Sequence, residues 1–229
     1  MALNSTAVGD NAQTPGISST NYIPDQLVAG NLKLVTDTGS LASGTLSRGA
    51  VLGQQLLGTP NAVAGKPAGG SNSGNGTISA PALGSGASVG AYVVTMLTAT
   101  TFSVIGPNGI RLADGVVGTA YNSQVSFTIT AGGTAFSAGD GFTITVPNGA
   151  GGYVLSVATA KDGSQNPVAI LADNADASGG AVNCPLYLQG EFNGNALIFD
   201  GSWSLATLKP VLRPLEIYIK TAVSAADPS

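Results

Sequence analysis

The sequence predicts a mainly β protein, in which a β-rich host domain, tulip- or barrel-like with one short C-terminal helix, carries an inserted small β-sandwich-like domain. Several short segments alternate apolar and polar residues, which is the period of a half-buried strand. The 33 glycines and 12 prolines supply frequent turns. Only 9% of the 229 residues are charged, so we expect Ser, Thr, Asn and Gly to form the polar surface.

Residues 1–29 are predicted to form a polar N-terminal arm. They are rich in Ser, Thr, Asn and Gly and show no hydrophobic periodicity before Tyr22 and Ile23. They lack the basic stretch and apolar run of a signal peptide, and no apolar run in the chain approaches the ~18 residues of a membrane span. We therefore expect a protein that is made in the cytoplasm and has no membrane partner.

The host domain is predicted to comprise two separate stretches of sequence, residues 30–67 and 153–220. A run of Asn193 and Gly194 between two apolar segments indicates a hairpin. Alternation and apolar runs predict the host strands 32–36, 46–53, 153–157, 167–172, 185–192, 196–199 and 215–220.

One helix is predicted near the end of the host domain. Ser204 is a suitable N-cap, whereas Pro210 limits the helix and Pro214 ends it. The apolar face at helical spacing consists of Leu205, Leu208, Val211 and Leu212. Residues 221–229 are predicted to be a polar tail.

Residues 68–152 are predicted to be an inserted β module. Glycine-rich stretches at 69–76 and 147–152 have the composition of flexible linkers and bracket the module. Insertions are tolerated at exposed loop tips, because the backbone hydrogen bonds of the host stay intact there. The clearest strand patterns of the module are 91–97, 101–105, 125–130 and 142–146.

Charge and residue usage argue against several classes of function. Eight Lys and Arg against twelve Asp and Glu give a net charge of −4, so nucleic acid is not an expected partner. The chain has no His, which is the commonest general base and metal ligand. The single Cys184 cannot form an intramolecular disulfide and is predicted to be a buried strand residue. We expect no cofactor, no metal and no enzymatic activity.

Three weaker chemical signals are interpreted as structural. The glycine-rich run 69–76 lacks the Lys-Ser/Thr ending of a phosphate-binding loop. The acidic runs 162–166 and 173–176 lack the ligand spacing of a calcium loop and favour turns over a cation site. A hydrolase would need a carboxylate pair, and no two of the twelve acids are singled out by the sequence.

Several short motifs of the predicted host domain resemble one known family. In chain order they are residues 34–43, 46–53, 166–172, 177–180, 182–192 and 212–220. Their order and spacing resemble the lambda-type head decoration proteins, or capsid cement proteins, of tailed bacteriophages. The predicted module, with Phe102, 107–114 and 142–146, resembles a segment of the longer members of that family.

The resemblance implies a structural role on a virion, made in the host cytoplasm. Family members form homotrimers that bind the major capsid protein at three-fold and quasi-three-fold positions of the expanded head. From the outer surface of the capsid they stabilise the head against the pressure of the packaged DNA. Their N-terminal arm pairs with capsid strands, which implies capsid contacts here for Thr20, Asn21, Tyr22, Ile23, Pro24 and Leu27.

A second interpretation is a carbohydrate-binding adhesin module on a virion surface. The predicted module is rich in Thr and Ser, and Trp203, Tyr187 and Tyr153 could stack on sugars. A host-surface glycan would then be the partner of the module. Packing of these aromatic side chains in a core or an interface is the alternative that the sequence favours.

Overall fold

The computed structural model describes residues 26–221 and is mainly β. One α-helix, α1 (Leu205–Leu212), occurs in this part of the chain, close to its C-terminal end. The strands are β1 (Val35–Leu41), β2 (Gly44–Leu46), β3 (Val51–Gln54), β4 (Asn61–Ala64), β5 (Thr77–Ile78), β6 (Ala82–Leu83), β7 (Gly90–Met96), β8 (Thr101–Ile105), β9 (Gly115–Val116), β10 (Ala120–Asn122), β11 (Val125–Thr130), β12 (Gly141–Val146), β13 (Tyr153–Leu155), β14 (Pro167–Leu171), β15 (Ala175–Ala177), β16 (Val182–Asn193) and β17 (Ile217–Lys220).

Five strands close into a barrel in the order β1-β13-β3-β14-β16, because β1 also pairs with β16. The closing pair is antiparallel, and its register places Thr38 opposite Pro185. Strand β17 extends the sheet by pairing in parallel with the end of β16, and β2 pairs with β15. We call β1–β3, β13–β17 and α1 the barrel region. The predicted mainly β class with a barrel-like host and a short C-terminal helix is confirmed.

Central strands of the barrel are buried on both faces. Along β3, Val51 packs with the side chains under α1, whereas the next residue, Leu52, packs with a separate cluster that contains Cys184. On β14, Ile170 likewise packs with the cluster under α1, whereas Leu171 packs with the cluster that contains Cys184. A strand covered on both sides has no polar face, which explains the continuous apolar run of β14. The predicted burial of Cys184 is confirmed, since it is 1% exposed.

Helix α1 begins at a capping box. The Ser204 hydroxyl accepts from the Thr207 N–H, and the Thr207 hydroxyl accepts from the Ser204 N–H. Leu208 and Leu212 are fully buried. The predicted apolar face is wrong at Val211, which is 40% exposed, because only the side turned toward β14 and β17 is covered.

The hairpin predicted at Asn193 and Gly194 is wrong. Strand β16 continues to Asn193 and is followed by a single 3-10 turn, Gly194–Ala196. The Asn193 side chain caps this turn by accepting from the Asn195 N–H at 3.0 Å. The predicted strand 196–199 is likewise absent, and only Ile198 forms an isolated bridge, with Ala50. A local side-chain hydrogen bond thus replaced the turn geometry of a hairpin.

Strands β4–β12, which we call the sandwich region, form two packed sheets. One sheet has the order β4-β12-β7-β8-β9, and the other contains β5, β6, β10 and β11. Their facing sides enclose one cluster of buried side chains, in which the rings of Phe102, Tyr121 and Phe127 lie 5.0 to 5.7 Å apart. That residues 68–152 are an insertion into a host domain stays a prediction.

Neither glycine-rich stretch is a free linker. Residues Ser73 and Gly74 donate their N–H groups to the buried carboxylate of Asp140 at 2.8 and 2.9 Å. The stretch 147–152 pairs with residues 55–58 in a ladder of backbone hydrogen bonds of 2.8 to 3.0 Å. The ladder runs from β3 and β13 into β4 and β12, so the two regions are joined by a two-stranded ribbon. Among residues 26–221 no helix has the length and hydropathy to span a bilayer.

Candidate functional site

The candidate site lies where the predicted arm joins the barrel region. Residues 27–32 run along the end of β16, and Val28 forms an antiparallel bridge with Phe192. The Ala29 N–H donates to the Glu191 carbonyl at 2.8 Å, and the Asn193 N–H donates to the Leu27 carbonyl at 2.8 Å. The segment is therefore held against β16 by one bridge and these two backbone hydrogen bonds.

Strand β17 borders the opposite side of the same end of β16. Its register pairs Gly190 with Ile217 and Asn193 with Lys220. The end of β16 is thus flanked by segments that come from the two ends of the described chain. We call residues 27–32, 190–193 and 217–220 the anchor site.

Glu191 links the segments of the anchor site through its carboxylate. Lys220 Nζ lies 2.6 Å from Glu191 Oε1, and the Leu32 N–H donates to Oε2 at 3.2 Å. The Lys220 side chain and the Leu32 N–H hold the pKa of Glu191 below its usual value. A Cβ at Gly30 would overlap the Glu191 side chain, so a larger residue there would displace the carboxylate from its present contacts.

The structure brings one of the implied capsid-contact residues into the anchor site. Leu27 is 3% exposed and packs with Phe192 and Leu208 in the cluster under α1. Thr20, Asn21, Tyr22, Ile23 and Pro24 lie outside the described residues. The capsid contact of all six residues stays a prediction, and for Leu27 the structure shows a role in anchoring the chain to the core.

Sequence reasoning did not single out Glu191, Lys220 or Gly30 as parts of one site. Glu191 and Lys220 are 29 positions apart in sequence and meet only because β17 pairs in parallel with β16. The apolar pair Leu27 and Val28, following a polar stretch, is the one local signal that the anchor begins there.

A cleft lies elsewhere, at the junction of the two regions. It measures about 640 Å³ and is lined by uncharged side chains and backbone, with Lys161 and Asp162 at one side. The Asp162 carboxylate accepts from Ser164 and from the Gln55 amide, so both of its oxygens are engaged. Burial alone would raise the pKa of Asp162, but the hydrogen bonds outweigh burial and hold the pKa below its usual value. Within residues 26–221 no group of three or more metal-ligating side chains comes together.

The aromatic residues proposed to stack on sugars contribute to packing. Tyr187 lies 5.4 Å from Phe192 between ring centroids, and Trp203 packs on the same cluster. Tyr153 packs on the cluster that contains Cys184, and burial raises the pKa of its hydroxyl. The six Phe and Tyr side chains of the sandwich cluster are at most 6% exposed. Tyr187, Trp203 and Tyr153 are each only partly buried, so the carbohydrate-binding interpretation stays a prediction.

The fold and the anchor site define a β-barrel protein whose first described segment is attached to β16 by an isolated bridge and backbone hydrogen bonds. Comparison with known families is specific. Residues 17–215 match the family described as Bacteriophage lambda head decoration protein D. The chain belongs to this family, a family of structural phage proteins, and has a capsid decoration role in the virion.

Comparison with individual proteins adds little. No curated protein sequence matches the chain significantly. Two crystal structures of FlgL from Xanthomonas campestris, in space groups H3 and C2, match at 21% and 22% identity with TM-scores of 0.31 and 0.32. The matches cover 43% and 42% of this chain, and the chain spans only 32% and 31% of the length of those structures. This similarity is too low to support an argument about fold or function.

Proposed function

We propose that the protein binds as a homotrimer to the major capsid protein of an expanded phage head, at three-fold and quasi-three-fold sites on its outer surface. Bound there, it stabilises the head against the pressure of the packaged DNA. The observation that carries the proposal is the match of residues 17–215 to the head decoration family.

The anchor site supports a division of labour between the arm and the fold. Residues 27–32 are fixed to β16 by backbone hydrogen bonds and by the buried side chain of Leu27. An extended segment can add a strand to a partner sheet, and a base that is held in place lowers the entropy cost of that pairing. We therefore assign the capsid contact to residues before Gln26, and the attachment of the arm to Leu27 and Val28.

Stabilisation of a head needs binding energy and no chemistry. A protein that binds the expanded lattice and not the unexpanded one stabilises the expanded form by RT ln(1 + [L]/Kd) at each site. Many equivalent sites on one shell add their contributions. The low charge of the chain limits electrostatic repulsion between copies that are crowded on the shell.

The test is co-sedimentation of the purified protein with expanded and unexpanded shells of its own phage. We expect saturable binding to expanded shells only, with a stoichiometry in multiples of three at each three-fold site. Deletion of residues 1–25 is expected to abolish binding while the thermal unfolding midpoint stays unchanged, because Leu27 and Val28 remain.

A longer deletion serves as the matched control. Removal of residues 1–29 takes away the Leu27 side chain and the hydrogen bonds to Glu191 and Asn193, so we expect it to lower the unfolding midpoint as well. Undiminished shell binding after deletion of 1–25 would contradict the role of the arm. Absence of binding by the full chain to either shell would contradict the proposed function.

A further inference from the structure

We propose that Asn108 is a site of spontaneous covalent modification, at which the side-chain amide is lost through a cyclic imide formed with Gly109. The inference concerns the sandwich region and does not depend on the proposed function. It rests on a comparison of the four Asn-Gly pairs of the chain, which lie at 75–76, 108–109, 148–149 and 193–194. The fold restrains three of these pairs and leaves the pair at 108–109 at an exposed tip.

The reaction needs an asparagine that is followed by an accessible backbone nitrogen. The Gly109 nitrogen attacks Cγ of Asn108, so that a C–N bond forms and the side-chain nitrogen leaves as ammonia, which takes up the Gly109 proton through water. A water molecule then opens the imide at one of its two carbonyl carbons. One opening gives aspartate, and the other gives isoaspartate, in which the main chain runs through the side chain. Glycine favours the attack because it has no Cβ beside the nitrogen.

The pair at 108–109 lies in a tight turn that follows β8. The Gly109 N–H donates to the Gly106 carbonyl at 3.0 Å, which closes a four-residue β-turn. Pro107 occupies the second position of the turn, where its fixed φ is suitable, and Gly109 has a φ of 74°. The nitrogen that attacks is therefore held by one hydrogen bond within one turn.

No core side chain covers this turn. Asn108, Gly109 and Ile110 are all exposed, Ile110 by 56%. A Cβ added at Gly109 would meet no heavy atom within 4 Å apart from those of its chain neighbours. Within residues 26–221 no hydrogen bond engages the Asn108 side chain. Opening of the turn thus breaks a single hydrogen bond and disturbs no core contact, and water reaches both reacting groups.

The pair at 75–76 is restrained on both of its residues. Asn75 Oδ1 accepts from the Thr134 N–H at 2.8 Å, and the Asn75 N–H donates to the Thr134 carbonyl at 3.2 Å. Gly76 lies against the Phe136 ring so closely that a Cβ would overlap it. These contacts must break together before the Gly76 nitrogen can approach Cγ of Asn75. We therefore expect a slower reaction there, although Asn75 itself is exposed.

The other two pairs lie in paired backbone. In the pair at 148–149, the Gly149 N–H donates to the Leu56 carbonyl at 2.8 Å, within the two-stranded ribbon that joins the two regions. In the anchor site, the Asn193 side chain accepts from the Asn195 N–H at 3.0 Å, and the Asn193 N–H donates to the Leu27 carbonyl at 2.8 Å. Attack at either pair requires a larger opening than that of one turn, and the rate falls with the free energy of that opening.

The modification changes the charge of the exposed tip. Both products carry a carboxylate, so each event adds one negative charge to a chain whose net charge is −4. Isoaspartate also lengthens the main chain of the turn. The tip leads directly into Arg111, whose guanidinium donates to both carboxylate oxygens of Asp114 at 2.8 and 2.9 Å. An aged chain is thus altered at this tip, whereas the two cores stay intact.

The test is a time course of the purified full chain at mildly alkaline pH, where more of the attacking nitrogen is deprotonated. Peptide mapping by mass spectrometry locates each asparagine that has become an acid and separates aspartate from isoaspartate. We expect Asn108 to convert at least about tenfold faster than Asn75, Asn148 and Asn193, and to give both products. In guanidinium chloride, which removes the fold, we expect the four rates to converge, because all four pairs share the same local chemistry.

Two identical substitutions form a matched pair for the folded chain. Asn108→Gln keeps an amide, but its longer side chain would have to close a larger ring. We therefore expect it to remove most of the acidic species that ion exchange resolves in the aged wild type. Asn148→Gln changes an exposed asparagine of the ribbon and should leave that species unchanged. Asn108→Asp should elute with the aged wild type from the start.

Three results would overturn the proposal. The first is a folded chain in which Asn108 converts no faster than the other three asparagines. The second is conversion of Asn108 to aspartate without isoaspartate, since direct hydrolysis by water gives aspartate alone and does not involve Gly109. The third is a preference for Asn108 that persists unchanged in guanidinium chloride, because the exposed turn would then not be its cause.

Discussion

The barrel region and the sandwich region bury their hydrophobic side chains in different ways. The barrel region combines strands from both ends of the described chain, and α1 covers its outer side at β14 and β17. The sandwich region is built from the continuous stretch 61–146, and the outer face of its larger sheet has no covering element among the described residues. The barrel region thus buries both faces of its central strands, whereas the larger sheet of the sandwich region buries one face against the sandwich cluster.

The two regions also differ in how they use charge. In the barrel region the ion pair of Glu191 and Lys220 lies at the surface, where the Lys220 side chain is 48% exposed. In the sandwich region the carboxylate of Asp140 is completely buried and accepts three backbone N–H groups, from Ser73, Gly74 and Ser137. A buried carboxylate that is fully hydrogen-bonded holds a loop far more firmly than an exposed ion pair does.

The largest effect is expected from removing one buried ring in each region. Phe102→Ala in the sandwich region and Phe192→Ala in the barrel region each remove a fully buried ring. Each is expected to lower the free energy of unfolding by about 3–5 kcal/mol. If the regions unfold separately, amide hydrogen exchange should lose protection only in the region that carries the substitution.

Hydrogen exchange by mass spectrometry at peptide resolution can separate the two outcomes. Tyr218→Ala removes a ring that is 40% exposed and serves as the control for loss of an aromatic side chain. Equal loss of protection in both regions for Phe102→Ala would show that the ribbon of residues 55–58 and 147–152 makes them one cooperative unit. The two regions would then not unfold independently of each other.

A somewhat smaller effect is expected from Asp140→Ala. The substitution leaves three buried N–H groups without an acceptor, and the glycine-rich stretch 69–76 can relax to recover part of the cost. We expect a loss of about 2–4 kcal/mol. Asp140→Asn retains one acceptor oxygen and should lose less, which separates hydrogen bonding from simple loss of volume. Equal stability of the wild type and Asp140→Ala would contradict this role of the carboxylate.

The same residue gives a pH dependence of defined sign. Burial alone would raise the pKa of Asp140, but the N–H donors of Ser137, Ser73 and Gly74 and the Lys66 ammonium outweigh it and lower the pKa to about 2. Because the folded pKa lies below the value of 3.8 for the free group, this stabilisation is complete above that pH. It is lost as the pH falls toward about 2. The difference in unfolding free energy between the wild type and Asp140→Ala should therefore shrink across that window.

The sequence predicts local periodicity well and long-range pairing poorly. Strands β11 and β12 alternate strictly, and the predicted positions of β8, β11 and β12 agree with the structure to within one residue. The role of Asp140 could not be predicted, because its partners Ser73 and Gly74 lie 67 and 66 positions away. The composition of residues 69–76 wrongly predicted a flexible linker, because the sequence does not show that the buried Asp140 carboxylate accepts hydrogen bonds from the N–H groups of Ser73 and Gly74.

The candidate site was predictable only through the resemblance to a family. A polar stretch before Leu27 indicates an arm, but the sequence has no local sign that Leu27 packs under α1 or that Glu191 meets Lys220. Those contacts depend on β17 returning parallel to β16, a pairing between strands that a helix separates in sequence. Register of this kind is set by tertiary packing.

The smallest effect concerns the cap of α1 and should be confined to the barrel region. Ser204→Ala removes the hydroxyl that accepts from the Thr207 N–H, and we expect a loss of about 1 kcal/mol, measured by urea unfolding. Ser204→Asp supplies an equivalent acceptor with a favourable charge at the helix N-terminus, so it should match or exceed the wild type. Because Leu208 and Leu212 cover the barrel from this helix, fraying should expose β14 and β17 to exchange and leave β7 and β12 protected. A loss shared equally by Ser204→Ala and Ser204→Asp would show that the hydroxyl acts through its hydrogen bonds to the Thr207 side chain, and not as the cap of the helix.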